Sequence, residues 1–202
     1  MPGKTTALSI DLPDWTIPAR HDLPACMPTL EERMAAVIKF SRLNFEHKTG
    51  GPFAAGVFER NSGRLVTMAV NCVVPFHCSS AHAEIMALSL AQQQLGTYDL
   101  GGPGLQNHQL AVNCRPCAMC YGALLWSGIR SLVVAADGPE MEEITGFDEG
   151  PLPTQWQQEL EKRGIEVVTD ILRPEAIGVF RDFAASQPLI YNARLGEPSN
   201  PG

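Results

Sequence analysis

Two short patterns, His82-Ala-Glu84 and Pro116-Cys117-Ala-Met-Cys120, carry the chemistry of this chain and stand far apart in it. Any fold that uses them together must bring two separate helix starts to one place. Cys117 and Cys120, three apart at the start of a helix, present both sulfurs on one side. The positive end of a helix and a bound cation both favour thiolate over thiol, the form a metal ligand takes. One imidazole from His82 and two thiolates suit Zn2+, and three protein ligands leave the fourth tetrahedral position for water. Glu84, two residues past the histidine, is placed to reach that water, take its proton and return it to a ring nitrogen and a departing amine.

The surrounding pattern predicts the frame that could do this. Residues 1–28 hold five prolines, which rules out a long helix and marks an N-terminal arm. Thr29-Leu-Glu-Glu reads as an N-cap with first-turn carboxylates, opening a helix over 29–47 that buries Met34, Val37 and Ile38. Phe53–Glu59 and Leu65–Val73 read as strands of a hairpin about the turn sequence Arg60-Asn-Ser-Gly. A second helix is expected from Ser79 to Leu95, with Ile85, Leu88, Leu90 and Leu95 inward, and a third over 116–127, with Pro116 as its first residue. Strands at 110–113, 132–136 and 165–168, and a helix over 174–185, complete the alternation. Such alternation predicts an α/β fold, a three-layer α/β/α sandwich with a central mixed sheet and the two motif helices side by side on one face. The expected domain covers 29–185, with 186–202 a C-terminal tail that serves as a lid or a dimer contact.

Composition narrows the partners. The chain has 202 residues, 45% apolar and 18% charged, a globular balance with no stretch near the roughly 20 apolar residues of a bilayer span. Its formal charge of −7 and the lack of a Lys/Arg cluster argue against nucleic acid as a partner and for a small molecule. The N-terminus shows no secretory pattern, so a cytoplasmic protein is expected, in which closely spaced cysteines serve metal chemistry rather than disulfides. Arm and tail lie outside the core pattern and are expected to pack on the body or across a twofold partner, giving a homodimer.

The pairing of His-x-Glu with Pro-Cys-x-x-Cys is the signature of zinc base deaminases. Over about Thr29 to Ala136 the chain resembles the cytidine deaminase-like superfamily. Gly51-Pro-Phe-Ala-Ala, Asn71, Gly146-Phe-Asp-Glu149 and Ile190-Tyr-Asn-Ala resemble its guanine deaminase branch, including bacterial members that accept amino-triazines such as ammeline. The resemblance implies zinc-dependent hydrolysis of a free base, guanine to xanthine and ammonia, with Glu84 and Glu149 catalytic and Phe53, Asn71, Ala83 and Asp148 at the substrate. Amino-triazines, nucleosides and pterins are the alternatives, and a tRNA adenosine substrate a more distant one. Where the family commonly has Thr-Ser-x-Glu before Pro-Cys, this chain has Val112-Asn-Cys-Arg115, a local charge reversal that bears on substrate preference or finds its own carboxylate partner.

Plainer readings stand beside these. Cys114 extends the motif to Cys-x-x-Cys-x-x-Cys, and as a fourth ligand it would close the metal to water and make the site structural. Phe53 serves as core or as a stacking face, and Asn71 as turn chemistry or as a reader of a base edge. Asp148 and Glu149 are surface carboxylates or, by the resemblance, pocket ones, with Glu149 the first choice. His21, His47, His77 and His108 read as surface or turn residues, and Trp126 as core.

Overall fold

The computed structural model describes residues 7–192; residues 1–6 of the arm and 193–202 of the tail lie outside the described residues. Within the arm, the short helix α1 (Thr16–His21) packs by way of Arg20, whose Nη2 donates to the carbonyl of Val66 at 2.6 Å. Helix α2 (Leu30–Glu46) begins at a capping box: Thr29 Oγ1 accepts from the backbone N–H of Glu32, and the Glu32 carboxylate accepts from that of Thr29. That reciprocal pair satisfies two otherwise orphaned donors and fixes the helix start where the sequence places it. The helix buries Met34, Val37, Ile38 and Phe40.

Strands β1 (Ala54–Glu59) and β2 (Leu65–Val70) form the expected hairpin. The second strand stops three residues short of Val73: Asn71 and Cys72 turn the chain into the single-turn helix α3 (Val73–Phe76). Helix α4 (Ala83–Leu95) likewise starts four residues later than Ser79. Its most buried face is small, with Ala83, Ala87 and Ala91 at i, i+4, i+8 beside Met86 and Leu88, whereas Ile85, Leu90 and Leu95 are only half-buried. Small side chains let the helix lie close on the sheet.

Strand β3 (His108–Cys114) runs longer than expected because His108 is a buried residue, its Nδ1 within 2.6 Å of the Leu100 carbonyl oxygen, and not a surface one. Helix α5 (Ala118–Ser127) and strand β4 (Ser131–Ala136) follow, then the unexpected helices α6 (Gly138–Thr145) and α7 (Trp156–Glu161), strand β5 (Glu166–Val168) and helix α8 (Arg173–Ala185).

The five strands stand in the order β2-β1-β3-β4-β5, antiparallel on either side of β1 and parallel from β3 to β5, so the sheet is mixed. Every residue of β3 and β4 is buried, and successive side chains point to opposite faces, so both faces are covered. Helix α4 packs on β1 and β2 with α5 beside it, while α2 and α8 pack together and contact β1, β3 and β4. The result is the expected three-layer α/β/α sandwich with a central mixed sheet. Trp126 departs from the core reading: it is 87% exposed on α5. No helix among the described residues is long and apolar enough to cross a membrane.

The strand directions place the site. Because β1 runs against both β2 and β3, the start of β1 and the ends of β2, β3 and β4 meet at one edge; the register pairs Ala54 with Val70, Ala55 with Val112 and Cys114 with Ala136. The chain leaves that edge from β2 toward α4 and from β3 toward α5, so both helices begin there.

Candidate active site

His82 and Cys117 occupy equivalent positions, each the extended residue just before its helix, with φ/ψ of −69/155 and −66/172 degrees. Pro116 therefore precedes the helix rather than opening it: Cys117 is the N-cap, and its Sγ accepts from the backbone N–H of Cys120 at 3.5 Å. A sulfur thus fills the role an N-cap oxygen usually has. His82 Nδ1 lies 3.5 Å from Cys117 Sγ, and one ligand atom each from His82, Cys117 and Cys120 lie within 4.8 Å of one another.

The donor set fits a soft divalent cation. Cys117 and Cys120 share a hydrogen bond that pulls the Cys117 thiol down to about 4 and pushes that of Cys120 well up, so the pair holds one thiolate readily and two only beside a cation. Zinc satisfies that demand with two sulfurs and one nitrogen. Cys114, the proposed fourth ligand of a structural site, ends β3 instead; its buried sulfur lies 4.0 Å from the Asp137 carbonyl oxygen and outside the cluster. Three ligands make this the open geometry of a catalytic centre.

Beside the cluster, one cavity is lined by Phe53, Ala54, His82, Glu84, Val112, Asn113, Cys114, Arg115 and Glu149. Glu84 is buried in the first turn of α4, and burial first, then the Cys117 charge, raises its pKa. Glu149 is pushed up to about 8 by burial, then by the charges of Cys117 and Glu84. Its loop is tied to the metal helix, since the Ala118 N–H donates to the Glu149 carbonyl at 2.9 Å. Phe53 packs edge-on against Phe147 with centroids 5.2 Å apart. The two carboxylates, His82 and Phe53 therefore line one cavity.

Other expected residues fall differently. Asn71 is buried at the end of β2; its Oδ1 accepts from the Val73 N–H at 3.3 Å, and its Nδ2 has no partner among the described residues. Ala83 is buried between His82 and Glu84 and packs in the core without lining the cavity. Asp148 stays outside it: the side chain is exposed and accepts from the Gly150 N–H at 2.9 Å, a turn contact. Arg115 finds a carboxylate partner, Asp137, at 3.7 Å, and its guanidinium lies over Gly138, whose missing Cβ leaves the room.

Tyr191 was signalled only by the short Ile190-Tyr-Asn-Ala resemblance. Its ring meets Phe147 at 4.8 Å, its hydroxyl comes against Gly51, and Asn71 approaches it without completing a hydrogen bond. Burial raises its pKa well above that of an ordinary tyrosine, with Glu149 and Glu84 adding to the push. Asn192 holds the segment down: its Oδ1 accepts from the Asp148 N–H at 3.0 Å and its Nδ2 donates to the Gly146 carbonyl at 2.7 Å.

Known proteins match this arrangement. A guanine deaminase from Nitrosomonas europaea, a solved structure, is 47% identical, covers 91% of this chain and 99% of its own, and superposes with a TM-score of 0.85. A structure of the protein NE0047 in complex with 2,6-diaminopurine is 49% identical over 93% of this chain and 98% of its own, with a TM-score of 0.85. The guanine deaminase of Bacillus subtilis is 30% identical over 139 residues, 67% of this chain and 83% of the relative. The family described as the cytidine and deoxycytidylate deaminase zinc-binding region matches residues 27–136, which span the hairpin, both motif helices and β4. The chain belongs to that family of zinc-binding deaminases.

Proposed function

We propose that the chain is a guanine deaminase, converting guanine and water to xanthine and ammonia. The observation that carries this reading is the likeness, over nine-tenths of both chains, to the Nitrosomonas europaea guanine deaminase. His82, Cys117 and Cys120 would hold zinc, which supplies Lewis-acid activation of the attacking water. Glu84, its pKa raised by burial, carries one proton from that water to the ring nitrogen and then a second, from the hydroxyl now on the ring carbon, to the amine, which leaves as ammonia. Phe53 offers a face to the flat base, the Asn71 amide reads its edge, and Glu149 takes a hydrogen bond from a ring N–H or amine. Tyr191, pinned by Asn192, acts as a lid that keeps bulk water from the carboxylates.

The experiment is an ammonia-release screen of guanine, adenine, cytosine, their nucleosides, a pterin, ammeline and a tRNA anticodon stem. Guanine is expected to give the highest kcat/KM, with ammeline a weaker competitor that carries a similar edge on a smaller ring. A nucleoside, pterin or tRNA turned over faster than guanine would overturn the substrate while leaving the zinc chemistry in place.

We also propose a homodimer in the cytoplasm. Helix α5 carries no charged residue and leaves Trp126 87% and Met119 38% exposed, an apolar face that a second copy would cover. All six cysteines are free, which suits a reducing compartment. A monomer by sedimentation at micromolar concentration, or recovery in a secreted fraction, would count against these two statements.

A further inference from the structure

Segment 51–54, which carries Phe53, is gripped from two sides by buried asparagines that no motif announces. Asn44, fully buried in α2, donates both amide hydrogens to main-chain carbonyls: to Gly51 at 2.8 Å and to Asn71 at 2.9 Å. Its Oδ1 accepts from Thr49 Oγ1 at 2.9 Å, so the amide is saturated. Asn113, buried near the end of β3, donates to the Pro52 carbonyl and accepts from the Ala54 N–H, both at 2.9 Å. Between them the two side chains hold Gly51, Pro52, Ala54 and the backbone of Asn71, and a further bond from the Asn71 N–H to the Phe53 carbonyl, 3.0 Å, joins the two held segments.

We propose that Asn44 and Asn113 are positioning residues for base recognition. They set the Phe53 ring and the Asn71 amide at a fixed separation before any base arrives. The inference rests on the reading of the site as a base pocket. The Asn44 amide, with both donors and its oxygen matched, has one low-energy orientation, and turning either amide would strand buried main-chain groups away from water. Neither residue belongs to the metal cluster. Gly50 shows how tight the clamp is: a Cβ there would sit 2.1 Å from the Asn71 carbonyl oxygen and 2.6 Å from Asn44 Nδ2. The first of those contacts is with backbone and has no flexible end to give way.

The test compares the holoenzyme with Asn44→Asp, Asn113→Asp and Gly50→Ala. Asn44→Asp keeps the acceptor for Thr49 and removes both donors; Asn113→Asp keeps the acceptor for Ala54 and removes the donor to Pro52. Thr29→Ala, which removes the N-cap at the far end of α2, serves as a control for stability loss alone. The inference expects zinc content to be unchanged and kcat/KM for guanine to fall about ten- to a hundred-fold, chiefly through KM, in all three variants, but not in the control at matched loss of Tm. Parent-like KM in the folded variants overturns the positioning role. If Asn44→Asp does not fold, Asn113→Asp and Gly50→Ala decide the matter by the same measurement. A parent that turns over a different base moves the assay to that base and leaves the expectation intact. A parent that turns over no base overturns both the inference and the reading beneath it.

Discussion

The metal end of the site and its recognition wall are built in opposite ways. At the metal end, His82, Glu84, Cys117 and Cys120 come from two stretches of a few residues, and each helix start supplies its own ligand as N-cap. The proposed recognition wall draws on Phe53, Asn71, Glu149 and Tyr191, on segments tied in pairs by amide-to-carbonyl bonds: 51–54 with the backbone of Asn71, and Gly146 with Asn192. The first assembles as soon as two helices meet; the second exists only when the whole chain is in place. In the proposed site, chemistry is therefore concentrated in local motifs, and substrate choice is spread over tertiary contacts. Damage to the two ends should consequently read out differently.

The largest effects belong at the metal end. His82→Ala and Cys117→Ala should lose zinc, measured by metal analysis of the purified protein, and with it all turnover and part of the thermal stability, because ligand binding to the folded state adds to folding free energy. Glu84→Gln should keep about one zinc per chain and still lose turnover by at least about a thousand-fold, since an amide cannot accept the proton. Zinc retained in His82→Ala, or activity retained in Glu84→Gln, would break the division of labour.

The same contrast explains what could be read from the amino-acid order. Helix α2 is legible because its signal is local, Thr29 bonded to Glu32 three residues on. The ligand set is legible because imidazole and paired thiolates at helix starts have few other uses. Asn44 is not: inside a helix it looks like a weak helix former, and its partners lie 7 and 27 residues away. Asn113 is hidden in the same way, bonded to Pro52 and Ala54, 61 and 59 residues away in the chain. Helix α6 carries a local signal as well, Asp137 before Gly138-Pro139, a cap followed by proline in the first turn. Trp126 misleads because an uncharged helix reads as fully buried when only one face meets the body.

Glu149 belongs to the proposed wall but feels the charges of Cys117 and Glu84 at the metal end, and its effect should be intermediate. Its carboxyl titrates at about 8 in the folded chain, chiefly through burial, whereas a glutamate in an unfolded chain titrates near about 4.3. Between those values the folded protein holds a proton that the unfolded chain has released, so this group's contribution to stability is lost as pH rises through the window. Glutamine stays neutral throughout. Glu149→Gln should therefore gain in Tm relative to the parent as pH is raised from about 5 to about 8, while kcat/KM for guanine falls about ten- to a hundred-fold and zinc is retained. Parallel Tm curves for the two proteins would show that the carboxyl is not held protonated.

The smallest effect tests how far the recognition wall extends. Trp15, in the N-terminal arm, donates its Nε1–H to Thr49 Oγ1 at 2.9 Å, and that hydroxyl donates to Asn44 Oδ1, so the arm is three hydrogen bonds from the carbonyls of Gly51 and Asn71. Trp15→Phe removes the donor while keeping an aromatic ring against Phe40 and His47, which lie 5.5 and 5.3 Å away. One part-buried neutral hydrogen bond contributes about 0.5–1.5 kcal/mol, and for a chain of this size such a loss lowers Tm by roughly 1–6 °C. Asn44 keeps both of its carbonyl partners in this variant, so KM for guanine should rise by no more than about two-fold, well short of the Asn44→Asp effect. The loss of recognition is thus graded by the number of bonds that separate a residue from the wall. If Trp15→Phe raised KM as much as Asn44→Asp, the arm would be part of the pocket wall itself. If it changed neither Tm nor KM, Asn44 would hold its orientation without help from Thr49, and the wall would end at α2.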